Sequence, residues 1–161
     1  MQGTSVVRMV NGSVTWQLTI DANDPARLAA FWAPVLGYEM QPPPDGHASW
    51  RAWYLTAGVP EDELTDVDDD YCDRIHDPTG AKPPIWFQIV PEGKTQKNRL
   101  HLDIYPTGRD RTLPIEERRR IVEETVDSLL SQGASVVRRT LTEHSCFVVM
   151  QDPEGNEFCV A

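Results

Sequence analysis

The chain has 161 residues, 40% of them hydrophobic, and its 15 basic and 25 acidic side chains leave a formal net charge of −10. That balance repels a phosphate backbone or an anionic bilayer, so neither nucleic acid nor membrane is an expected partner. No long apolar run or small-residue cleavage site stands at the amino terminus, and the three cysteines (Cys72, Cys146, Cys159) lack CxxC spacing. A disulfide framework and a closed structural zinc site are therefore not expected, and the chain reads as cytoplasmic.

Taken in order, the elements repeat. A strand over Thr15 to Asp21 leads to a helix opened by Asp24-Pro25 and closed at Leu36-Gly37. A turn, Asp77-Pro78-Thr79-Gly80, then feeds a strand from Ile85 to Val90. The second copy runs as a strand over Arg99 to Tyr105, a helix from Ile115 to Gln132, a turn Asp152-Pro153-Glu154-Gly155, and a strand from Glu157 to Ala161. The class is α+β, built as two tandem βαβββ modules in one domain. The first spans about 14–91, with an insertion at 42–70, and the second about 98–161. Pro34 is expected to kink or shorten the first helix.

The insertion carries a turn-rich Pro42-Pro43-Pro44-Asp45-Gly46 loop and two short helices, Trp50 to Leu55 and Pro60 to Leu64. Eight acids lie between Glu61 and Asp73. Asp66, Asp68 and Asp70 have the spacing that opens a calcium loop, but Tyr71 stands where glycine makes its turn, so a solvated acidic loop is expected. The Arg118-Arg119-Arg120 run among glutamates reads as a solvated helix face.

Strand alternation sorts side chains into two faces. Trp16, Leu18 and Ile20, then Ile85, Phe87 and Ile89, then Leu100, Leu102 and Ile104, and finally Phe158 and Val160 form apolar sets that should receive the helices. Gln17, Thr19 and Asp21, Trp86 and Gln88, Arg99, His101 and Asp103, and Glu157 and Cys159 are left facing a concave cleft, where buried polar groups need partners.

The Asp24-Pro25 helix, the Asn98-Arg99-Leu100-His101-Leu102-Asp103 strand and the Asp152-Pro153-Glu154-Gly155-Asn156-Glu157-Phe158 closing motif resemble the glyoxalase and bleomycin-resistance group, the vicinal oxygen chelate superfamily. The resemblance covers nearly the whole chain. DPARLAAFW, WFQIVPEGKTQKNRLHLD and MQDPEGNEFCVA look more narrowly like a glyoxalase-like branch common in actinobacteria. It implies a cup-shaped cleft for a small organic molecule and a homodimer. In metal-binding members the ligands come from the first and last strands of each module, which here are Gln17, Gln88, His101 and Cys159.

That set departs from the family's usual imidazole and carboxylate ligands, and of the divalent ions zinc suits it best. Metal-free chemistry needs a base within reach of a carbon acid. His101, Glu157 and Asp103 are the candidate acid–base groups, with Arg99 also able to hold an oxyanion. Gln17, Gln88, Trp86, Arg99, Trp50 and Trp53 are the candidate substrate contacts, the tryptophans offering surface for a flat or apolar ligand. Cys159 reads as a buried thiol rather than a nucleophile. Two readings stay open: a lyase or isomerase, and a ligand-sequestering protein of the bleomycin-resistance kind.

Overall fold

The computed structural model describes residues 15–110, 112–142 and 145–161, so the expected start of the first module at residue 14 lies outside them. Two mixed four-stranded sheets form the molecule, each a βαβββ-like unit. The first contains β1 (Leu18–Ala22), β2 (Glu39–Met40), β3 (Arg74–His76) and β4 (Ile85–Ile89), in the order β1-β4-β3-β2. The second contains β5 (Asp103–Ile104), β6 (Ser135–Leu141), β7 (Cys146–Gln151) and β8 (Glu157–Val160), in the order β5-β8-β7-β6. In each sheet the first strand runs parallel to the last, and the remaining pairs are antiparallel. A parallel pair needs a crossover, and the helices α1 (Pro25–Leu36) and α3 (Ile115–Ser131) supply it.

Local chemistry sets the ends of α1. The Asp24 side chain accepts from the Arg27 N–H, Pro25 occupies the first helical position, and Gly37 takes the left-handed conformation (φ 65°) that closes the helix. Pro34 sits in the last turn and the helix ends two residues later. Its missing N–H frees only the carbonyl of the exposed Ala30. Leu28, Ala29, Phe31 and Trp32 are buried from α1, and Val122, Val126 and Leu129 from α3. These pack with Ile75, Phe87, Val148, Met150, Phe158 and Val160 in one core shared by both units.

The two units are joined through α1 and the closing turn of the second copy. Phe158 lies edge-on to Trp32 at 5.0 Å, and the Trp32 indole N–H donates to Asp152. Glu154 accepts from the backbone N–H groups of Asn23 and Asp24, the residues that lead into α1. Within the insertion, α2 (Trp50–Thr56) is capped by Ser49, and Glu61–Glu63 forms a single 3₁₀ turn.

Three strand-level expectations need correction. β1 begins at Leu18, not Thr15, and runs on to Ala22. The strand expected over Arg99 to Tyr105 contracts to Asp103–Ile104, which pair with Cys159 and Val160 of the parallel β8. Trp16 and Leu100 consequently precede the paired strands and do not face the helices. They are 64% and 82% exposed, and Ile89, at the end of β4, is also exposed.

Candidate functional site

The second sheet brings three chemically able side chains together. Strand register sets Asp103 of β5 beside Cys159 of β8, followed by Val149 and Arg138 across β7 and β6. His101 stands two residues before Asp103, in the segment that leads into β5. Ligand atoms of His101, Asp103 and Cys159 lie within 4.8 Å of one another. His101 Nδ1 is 3.0 Å from Asp103 Oδ1, and the Tyr105 hydroxyl donates to Asp103 Oδ2 at 3.3 Å. All four side chains line a cavity of about 480 Å³ that also takes in Arg109, Arg118 and Phe147.

Cys159 is half-buried and its thiol pKa is raised, first by burial and then by the charge of, and hydrogen bond to, Asp103. It therefore stays protonated near neutrality and is no poised nucleophile.

Glu157 does not join this cluster. Its carboxylate accepts from the Asn98 backbone N–H at 3.0 Å and the Lys94 ammonium at 3.2 Å. The Asn98 N–H is the leading cause of its lowered pKa, with Lys94 adding to it. An ionised, doubly satisfied carboxylate is a weak base. Glu157 instead lines a second, larger cavity of about 650 Å³ between β1, the 90–102 segment and β8. Trp16, Arg99 and Leu100 line it too, and His101 borders both spaces.

The first-unit candidates are dispersed. Gln17 is exposed, with its amide near Thr19, and Gln88 is exposed beside Asp21. If Gln88 corresponds to Cys159, as the buried Phe87 and Phe158 before them indicate, the register equates Asp21 with Asp103 and Thr19, not Gln17, with His101.

Trp50, Trp53 and Trp86 do meet, but around a side chain of the protein itself. The Arg74 guanidinium lies 4.3 Å from the Trp50 ring centroid, 5.1 Å from Trp86 and 5.5 Å from Trp53, with Tyr54 completing the box. Buried Asp73 accepts from the Tyr54 hydroxyl (2.7 Å) and the Trp86 indole (2.9 Å), and it faces Arg74 Nε at 3.1 Å. Sequence reasoning missed Asp73 and Arg74. One signal was available, since Arg74 is the only lysine or arginine between Arg51 and Lys82.

An imidazole, a carboxylate and a thiol are the donor types of an open zinc site, whose bonds run about 2.0–2.3 Å. Among the described residues, His101, Asp103 and Cys159 fit such an ion. Asp103 enters this set, whereas Gln88 lies in β4 of the other sheet and Gln17 just before β1.

A profile of the glyoxalase-like domain matches residues 17–161. No curated protein matches the sequence. Among solved structures, a glyoxalase/bleomycin resistance protein/dioxygenase family enzyme from Burkholderia phytofirmans PsJN superposes with a TM-score of 0.51 at 15% identity, over 89% of this chain and 94% of its own. A protein from S. aureus gives 0.53 at 14% identity, over 95% and 94%. A fosfomycin resistance protein from Listeria monocytogenes gives 0.50 at 12% identity, over 94% and 90%. At these identities the likeness is one of fold.

Proposed function

We propose that this chain, which belongs to the glyoxalase-like domain family of the vicinal oxygen chelate superfamily, binds a small organic molecule in the cavity beside His101 and moves a proton on it, as a lyase or isomerase. The observation that carries this reading is the 3.0 Å approach of His101 Nδ1 to Asp103 at the wall of a ligand-sized cavity.

At that separation two lone pairs would repel, so Nδ1 bears the proton and faces the carboxylate. Nε2 is then the ring's basic nitrogen. A carbon acid bound next to Nε2 gives up its proton there, and Asp103 stabilises the resulting imidazolium. Tyr105 and Cys159 donate to the same carboxylate, holding Asp103 in place. Zinc, when bound by His101, Asp103 and Cys159, would take up the ring nitrogen that otherwise acts as base and would instead supply Lewis-acid polarisation of a substrate oxygen. The family likeness also implies a homodimer, which a monomeric mass by light scattering would remove.

The test is a thermal-shift screen of small carbonyl compounds, followed by NMR of solvent deuterium uptake into each binder. Uptake should fall by about 10²-fold or more in His101→Asn. Ligands that bind without exchange or turnover would replace this reading with sequestration.

A further inference from the structure

We infer that the cavity beside His101 recognises an oxyanion, through Arg118 and Arg109, so that its ligand is a small molecule bearing a carboxylate or phosphate. This deepens the proposed reading of the cavity as a ligand site.

The three consecutive arginines of α3 are not equivalent. Arg119 pairs with Glu116 at 2.9 Å, and Arg120 pairs with Glu117 and Glu124, each at 2.6 Å. Arg118 has no carboxylate partner among the described residues. Its Nε is shielded from solvent without an acceptor, and its side chain lines the cavity. A desolvated guanidinium donor left unpaired is costly, and a ligand oxygen would relieve that cost.

Arg109 lines the same space. It is the one non-glycine residue described with positive φ (62°), a backbone conformation that side chains other than Asn and Asp seldom adopt. Its guanidinium lies 3.9 Å from the centroid of the Tyr105 ring, which fixes it over the residue that donates to Asp103.

Neither side-chain carboxylate of the cavity wall forms an ion pair with these arginines. Asp103 faces His101, Tyr105 and Cys159, and Asp110 accepts from the backbone N–H and hydroxyl of Thr112 at 2.8 and 2.7 Å. Arg138 shares the sheet row of Asp103 and Cys159, which adds another cation to that face. In a chain of net charge −10, two guanidiniums lining one cavity whose side-chain carboxylates face other donors are a selective feature, and guanidinium forks match carboxylate and phosphate oxygens.

Inorganic phosphate and succinate are titrated separately into the intact protein, in constant chloride, while the Arg118 and Arg109 Nε–H resonances are followed by NMR. The expected result is a saturable shift with at least one anion, with affinity about tenfold or more lower in Arg118→Gln and in Arg109→Gln but unchanged in Arg120→Gln. The responding anion assigns the class. If Arg118→Gln does not fold, Arg109→Gln carries the comparison. Absence of a saturable shift with both anions, or equal affinity in the folded Gln variants, overturns the inference. Anion binding beside undiminished turnover in His101→Asn would leave this subsite standing and remove the proton-transfer reading alone.

Discussion

The indole Nε1 of Trp32 donates to Oδ2 of Asp152 across 3.1 Å, tying the helix of the first unit to the closing turn of the second. Asp152 also accepts from the backbone N–H groups of Glu154 and Asn156, so one buried carboxylate both shapes its own turn and receives the neighbouring unit. Trp32→Phe keeps an aromatic ring against Phe158 but removes the donor and part of the buried indole. It should cost about 2–3 kcal/mol in urea unfolding. Both sheets should still melt in one transition, since they share a core. Two separated transitions in the unaltered protein would contradict that coupling.

A different kind of junction holds α2. Asp73 gathers Tyr54, Trp86 and Arg74, and Arg74 fills the aromatic box that Trp50 and Trp53 help to build. Asp73→Ala would leave a half-buried guanidinium without its carboxylate, and we expect a loss of about 3 kcal/mol. Faster amide exchange should be concentrated in 50–56. Uniform exchange across the chain would show that the network does not secure that helix.

The stability of the fold should also report on Asp77. The Thr79 hydroxyl, with backbone N–H groups of Thr79, Lys82 and Ala81, holds its carboxyl below the ordinary value of 3.8. A carboxyl with a lower pKa folded than unfolded stabilises the native state while ionised. Its contribution is complete above the unfolded value and disappears as pH falls through the folded one. Denaturation midpoints should thus hold near neutrality and drop below about 3.8, less steeply in Asp77→Asn. An identical acid profile in that variant would remove Asp77 from the account.

The donor set at His101, Asp103 and Cys159 predicts that Co²⁺, supplied as a spectroscopic stand-in for zinc, gives thiolate charge-transfer absorption. Cys159→Ser should abolish the band and Cys72→Ser should preserve it, since Cys72 is buried elsewhere, donating to the Gln41 and Arg74 carbonyls. A band that survives Cys159→Ser would move the ion to another thiol.

Much of the fold is legible in the sequence because its signals are local. Asp24-Pro25 caps a helix, Gly37 and Gly133 supply left-handed backbone, and the two Asp-Pro turns announce the strands after them. What the sequence does not show depends on distant partners. β5 pairs with β8 only at Asp103 and Ile104, and alternation misplaces Trp16 and Leu100 because neither is in a paired strand. The site divides the same way. His101 and Asp103 stand at i, i+2 spacing, and the structure brings their side chains to 3.0 Å. Glu157 has the same relation to Cys159 but is captured by Lys94 and Asn98, which no strand pattern reveals. Asp73 is hidden within an acidic run whose other members are solvated, and Arg118 within a triplet whose neighbours are paired.

The central claim is that Asp103 holds His101 with its proton on Nδ1 and its base at Nε2. Long-range ¹H–¹⁵N NMR of the imidazole, recorded above its titration, reads this directly. The Nδ1–H tautomer is expected in the unaltered protein, with a shift toward Nε2–H in Asp103→Asn. A neutral His101 found as Nε2–H in the unaltered protein would contradict it.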